Sequence, residues 1–272
     1  MLKKSFFEIP KFSKNNLENF KKKFETILSK NYIKKFNTPI DIEISNTPYS
    51  PRIEELYFLF NFIKINKRLT ILEFGSGWSS LFFCAALKEN KKRYFEYCKD
   101  NIRNSNLFEL FVLENENFFL NISRKRIEKF YMNRGIKVNY HCSDVRMTKF
   151  QGLYCHEYDR VPLCNPDFIY LDGPDQFKIK AKKNNFVINH PDLMPMGSDI
   201  LKIEFYLRPG TIIVIDGRGA NFQFLKAFLK RKWIYKYISK IDKYIMYLDA
   251  PSLGRANTNN LKFYQKNISK LK

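Results

Sequence analysis

Several residue patterns are missing from this chain, and each absence excludes a class. Its five cysteines, Cys84, Cys98, Cys142, Cys155 and Cys164, are an odd number. They form no Cys-x-x-Cys pair and have no histidine at zinc-ligand spacing, so a disulfide framework or zinc module is excluded and reduced thiols are expected. Cys84 and Cys142 fall in apolar stretches, where a free thiol behaves as a small hydrophobe. No apolar run reaches the ~18 residues of a membrane span. The stretch Met1–Pro10 has a basic pair but neither a sustained apolar core nor a small-residue cleavage site, so no secretory signal is read there and a cytoplasmic location is expected. No Gly-Lys-Ser/Thr follows a glycine loop, which excludes a P-loop, and no internal repeat is present.

What is present is a chain of 272 residues, 44% hydrophobic and 17% aromatic, enough for a substantial core in one domain with additions. Forty-eight basic residues against 27 acidic ones give a net charge of +21. Such a charge points first to nucleic acid, through neutralised phosphates. The lysines, however, are scattered among Asn, Ile, Phe and Tyr, the mix of an AT-rich coding bias. The densest basic runs, Lys21-Lys22-Lys23 and Lys230-Arg231-Lys232, lie far apart in sequence. Nucleic acid therefore ranks behind a small-molecule or glycan partner.

The most informative stretch is Leu69 to Ser80. An apolar run ends in Glu73-Phe74-Gly75-Ser76-Gly77 and continues into Trp78-Ser79-Ser80-Leu81-Phe82-Phe83, the strand, turn, helix order of a βαβ crossover. Glycines at 75 and 77 permit a sharp turn and close approach of a ligand. A carboxylate at Glu73 would repel phosphate and suits a cationic or amino-bearing ligand, and Ser80 stands where a dinucleotide fingerprint has its third glycine. The competing reading is a strand-to-helix turn with no ligand.

Further acids close later apolar runs. Glu109–Leu113 reads as a second strand ending at Glu114, where a carboxylate accepts from both hydroxyls of a ribose. Residues 89 to 107 read as a polar insertion that lengthens the spacing before it. Lys137–Cys142 reads as a third strand, followed by Ser143-Asp144, with His141 expected as a hydrogen-bonded core histidine. Pro166–Leu171 leads to Asp172-Gly173-Pro174-Asp175, with Asp175 expected in solvent. Gly210–Ile215 leads to Asp216-Gly217-Arg218-Gly219-Ala220-Asn221. The segment Gln176–Ser198 carries prolines that forbid a continuous helix and reads as a substrate lid, with His190 as a candidate general base. Trp233–Ile238 and Tyr244–Leu248 alternate as a terminal hairpin. Before all of these, a Ser13-capped helix over 13–30 and a second helix opened by Ser50, Pro51, Glu54 and Glu55 are expected.

The loop Glu73–Gly77, with the acids closing the later strands, resembles the class I S-adenosylmethionine (SAM) methyltransferases, in the O-methyltransferase-like branch, over residues 50 to 250. The resemblance implies an α/β fold: a Rossmann-like, doubly wound, mostly parallel seven-stranded sheet with a C-terminal antiparallel hairpin. Residues 1–49 are then an N-terminal helical extension, 50–250 the SAM-binding domain and 251–272 a polar tail. It implies SAM contacts from Glu73, Gly75, Ser76, Gly77, Trp78 and Glu114, with Asp144 on the adenine amino group. Asp172 would face the methyl group, orienting an acceptor hydroxyl, acting as base or binding a divalent cation. The sequence after that strand is not Asp-Pro-Pro-Tyr, which argues against methylation of a base amino group. Asp172, Asp216 and Asn221 form a candidate Mg2+ site; alternatively Asp216 caps the next helix and Arg218 recognises an anionic group. The implied activity is methyl transfer to oxygen of a small-molecule or sugar-like acceptor. The alternatives are an RNA methyltransferase and a noncatalytic nucleoside-binding protein on the same fold.

Overall fold

The computed structural model describes residues 6–29, 52–131, 135–174 and 196–265. In chain order these form α1 (Lys14–Lys23), α2 (Glu25–Leu28), α3 (Ile53–Ile65), β1 (Thr70–Phe74), α4 (Trp78–Asn101), β2 (Glu109–Glu114), α5 (Asn117–Tyr131) and β3 (Lys137–Cys142). Then follow β4 (Val145–Phe150), β5 (Leu153–Tyr158), β6 (Phe168–Leu171), β7 (Met196–Gly197), α6 (Asp199–Ile203), β8 (Ile212–Asp216), α7 (Gly219–Phe228), β9 (Trp233–Ile238), β10 (Lys243–Leu248) and α8 (Arg255–Gln265).

The main sheet has the order β3-β2-β1-β6-β8-β10-β9. The pairs β3/β2, β2/β1, β1/β6 and β6/β8 are parallel, and β10 runs antiparallel to both β8 and β9. This is the doubly wound sheet with a terminal hairpin expected from the sequence. The chain winds outward from β1 through β2 to β3 and then crosses back to β6, so a switch point opens between the carboxyl ends of β1 and β6.

Central strands such as β1 (TILEF) and β6 (FIYL) are buried along their whole length, as a parallel sheet covered on both faces requires. Ile71, Val112, Tyr170, Val214 and Ile245 point to one face, against Phe58, Phe62 and Phe83 of α3 and α4. Leu72, Phe111, Ile169, Ile213 and Met246 point to the other, against Ile200, Phe222 and Leu225 of α6 and α7.

Three segments differ from the sequence reading. The polar stretch from 89 onward is mostly helix: α4 runs unbroken to Asn101. Asn90, Tyr94 and Cys98 continue its buried stripe at helical spacing, and charged residues fill only the outer face. A hairpin, β4/β5, turns at Gln151 and Gly152 with φ of 50° and 85° and adds β7 to form a separate three-stranded sheet. The stretch after 250, read as a polar tail, carries α8, whose Phe263 is fully buried against Tyr94 and Tyr97. Tyr264 beside it donates to Asp167 at 2.9 Å.

At the other end Ser13 caps α1 by accepting from the Asn16 amide at 3.1 Å, as expected. Phe20, Phe24 and Ile27 are buried in the same cluster as Phe60 and Phe82. Ser50 and Pro51 lie outside the described residues; Glu54 and Glu55 occupy the first turn of α3.

Because α8 seals the amino edge of the sheet, Phe263→Ala should lower the urea midpoint by an amount equivalent to about 3–5 kcal/mol, the cost of a large aromatic cavity. Leu253→Ala, at a site 61% exposed, should stay within ~0.5 kcal/mol. Equal effects of the two would detach α8 from the core.

Candidate functional site

Side chains alternate along a strand, so the face that carries Ile71, Val112, Tyr170 and Val214 continues at the carboxyl edge into Glu73, Glu114, Asp172 and Asp216. Lys243 of β10 stands opposite Asp216 in the register. Four acids and one lysine therefore line one edge of five neighbouring strands.

Glu73 is 1% exposed and accepts from the Ser79 hydroxyl at 2.5 Å and the Ser80 hydroxyl at 2.6 Å. Burial drives its carboxyl up to about 8, against the lowering effect of those hydroxyls. Each Glu73 oxygen is thus held by the first turn of α4, and the residue shapes the loop from beneath. Gly75 has φ of +95°, and a Cβ there would stand 2.8 Å from the Gly173 amide nitrogen. A Cβ on Gly173 would stand 2.5 Å from Gly75 Cα. Gly75 is therefore required by the backbone of the β6 loop. Gly77 is different: its φ is −171° and a Cβ would meet only Ser79 Oγ at 3.7 Å.

Trp78 is 5% exposed with the Arg126 guanidinium 4.3 Å from its ring centre. Its indole packs α4 against Arg126 of α5.

Glu114 binds the first two loops together. Its Oε2 accepts from the Ser76 hydroxyl at 2.8 Å, and its Oε1 from the amides of Asn115 and Glu116 at 2.8 and 3.1 Å. Burial raises its carboxyl to about 7. Each carboxylate oxygen retains acceptor capacity, so ribose hydroxyls still fit. Asp144 follows β3, half-buried, and its carbonyl accepts from the Asp159 amide at 2.9 Å where β5 ends. His141 is half-buried and stacks on Phe111 at 6.1 Å, and its Nε2 is buried without a partner. Among the described residues it is a stacked rather than a hydrogen-bonded histidine.

Asp172 is partly buried beyond β6, and no hydrogen bond among the described residues holds its carboxylate. Burial raises it to about 6, with Arg218 and Lys243 opposing the rise and Glu55 adding to it. Arg218, 7% exposed, donates Nη1–H to the Pro174 carbonyl at 2.7 Å and Nη2–H to the Asp172 carbonyl. It joins the loops after β6 and β8.

The three-residue oxygen site for Mg2+ does not fit. The Asp216 carboxylate accepts from Lys243 Nζ, and Asn221 Oδ1 accepts from the Gly197 amide at 2.6 Å. Among the described residues no cluster of three or more His, Cys, Asp or Glu is arranged to hold a metal. His190, Asp175 and nearly all of the proposed lid lie outside the described residues.

Sequence reasoning missed Lys243, Glu55 and Tyr170. Lys243 is fully buried and also pairs with Glu55 at 3.3 Å; the Tyr170 hydroxyl donates to Glu55 at 3.1 Å. The available signal was the phase of β10, in which Lys243 shares the parity of Ile245 and Tyr247.

No family model matches the chain, and no curated protein does. Solved structures that resemble it include an O-methyltransferase from Bacillus cereus in complex with SAH, at 15% identity over 86% of this chain and 100% of that one, with a TM-score of 0.39. A methyltransferase from Geobacter sulfurreducens is 8% identical over 88% and 92% of the two chains, with a TM-score of 0.43. The O-methyltransferase TomG from Streptomyces achromogenes, in complex with SAM, is 14% identical over 89% and 92%, with a TM-score of 0.40.

Two expectations follow from the geometry. Gly173→Ala should destabilise by about 1–3 kcal/mol through overpacking against Gly75, whereas Gly77→Ala should lose less than ~1 kcal/mol, the N-cap preference alone. Urea denaturation of both variants checks this, and equal losses would remove the backbone contact as the cause. The raised carboxyls also set a pH dependence. The folded state keeps protons that the unfolded chain releases, so stability should fall as pH rises from ~4.5 towards about 8, the value for Glu73. Glu73→Gln should flatten that slope in thermal melts; an unchanged slope would contradict the assignment.

Proposed function

We propose that this protein is a SAM-dependent methyltransferase acting on oxygen of a small-molecule or sugar-like acceptor. The observation that carries the reading is the row of acids at the switch point of the sheet. Burial raises the carboxyls of Glu73, Glu114 and Asp172, and Glu73 is raised further by the charges of the other two. A ligand bearing positive charge relieves that repulsion, and a nucleoside with a sulfonium and an amino group combines the charge with hydroxyls for Glu114. A phosphate-bearing dinucleotide would add to the repulsion.

In this reading Glu114 holds the ribose hydroxyls and Asp144 the adenine amino group. The loop Gly75–Gly77 passes beneath the ligand, fixed by Glu73 and Gly173. SAM supplies an electrophilic methyl group when bound. Asp172, raised to about 6 and with no hydrogen bond on its carboxylate among the described residues, orients an acceptor hydroxyl and accepts its proton as the oxygen attacks. Alignment of the two reactants provides most of the acceleration.

Calorimetric titration of the purified chain with SAM and with SAH tests the reading. Both should bind, with Glu114→Ala weakening them on the order of 10–100-fold, the loss of about two ribose hydrogen bonds to a charged group. Absence of binding to the wild-type chain would overturn the methyltransferase reading.

A further inference from the structure

The misfit of the magnesium site has a specific cause. Lys243 is a lysine with 0% exposure at the start of a strand whose other residues are apolar or aromatic. Its Nζ ion-pairs with Asp216 on the neighbouring strand and with Glu55 in the first turn of α3, 3.3 Å away. It also lies 5.9 Å from the centre of the Tyr170 ring, whose hydroxyl is in turn on Glu55. Two acids from separate elements, one aromatic face and no water-exposed surface surround a single ammonium group. Burial of an unpaired charge is prohibitive and burial of a paired one is tolerated only with good geometry, so the pocket is built around this cation.

We infer that the Lys243 ammonium is the resident cation of the strand-end acid row: it fills the position a divalent ion would take, holds Asp216 and Glu55, and leaves Asp172 as the acid free for an acceptor. The register places the charge there. Lys243 pairs with Asp216 across β8 and β10, and Asp216 continues the row that Asp172 occupies one strand away. Asn221, the third oxygen donor a metal would need, is already on the Gly197 amide. Lys243 is a positioning residue, and its role stands whatever nucleoside the first loop takes.

The test is manganese binding followed by electron paramagnetic resonance on the full chain, with Mg2+ as competitor. The wild type should leave the free Mn2+ signal unchanged. Lys243→Met, which keeps the stem and removes the charge, should gain one site binding on the order of tenfold or more above the wild-type background. Adding Asp216→Asn to it should remove that site. Lys243→Arg, which keeps a cation, should fold and bind no manganese. One Mn2+ bound by the wild type, displaced by Mg2+ and lost in Asp216→Asn, would overturn the inference. So would a folded Lys243→Met that gains no site. If Lys243→Met fails to fold, the wild-type and Lys243→Arg titrations still decide it.

Discussion

The constraint on which the rest of this structure depends is the crowding of carboxyl groups at one edge of a buried sheet. Glu114, Glu73, Asp172 and Asp216 stand on four adjacent strands, in a chain whose net charge is +21. Ionising the first three in a poorly solvated place is costly, and the protein offsets that cost by several means. Serine hydroxyls hold Glu73; Ser76 and two amides hold Glu114; Lys243 holds Asp216. Asp172 is left with long-range help from Arg218 and Lys243. A local cluster of acids on a strongly basic protein is a feature that composition alone would not produce, and in the proposed reading it favours a cationic ligand.

The backbone makes this edge rigid. Gly75 and Gly173 meet backbone to backbone, so the loops after β1 and β6 share one surface. Arg218 fixes the loop after β8 to the carbonyls of Asp172 and Pro174, and Glu114 fixes the loop after β2 to Ser76. Four loops from four strands are thereby held by short contacts among themselves, before any ligand arrives. Such preorganisation is what a site that works by alignment requires.

Much of the fold was legible in the sequence because parallel strands bury both faces and read as apolar runs closed by acid and glycine. The glycine loop, the strands ending at Glu114, Asp172 and Asp216, and the terminal hairpin all carry that local signature. What was not legible has a common cause: the information lies in contacts distant in sequence. The second half of α4 looks polar because its buried stripe is only Asn90, Tyr94 and Cys98, completed by Phe263 more than 160 residues later. That Gly75 lies against Gly173 shows only once both are placed. The same holds for Trp78 on Arg126 and for Arg218 on two carbonyls. Lys243 reads as one more scattered lysine in a lysine-rich chain, and only the register with Asp216 shows it as the buried cation of the site.

The most direct measurement is the pH dependence of affinity for SAM compared with SAH, which lacks the sulfonium charge. If the acid row recognises that charge, the preference for SAM over SAH should grow as pH rises from ~5.5 to ~8 and the carboxyls near 6, 7 and 8 ionise. A preference that stays flat across that range, or shrinks, would contradict the account.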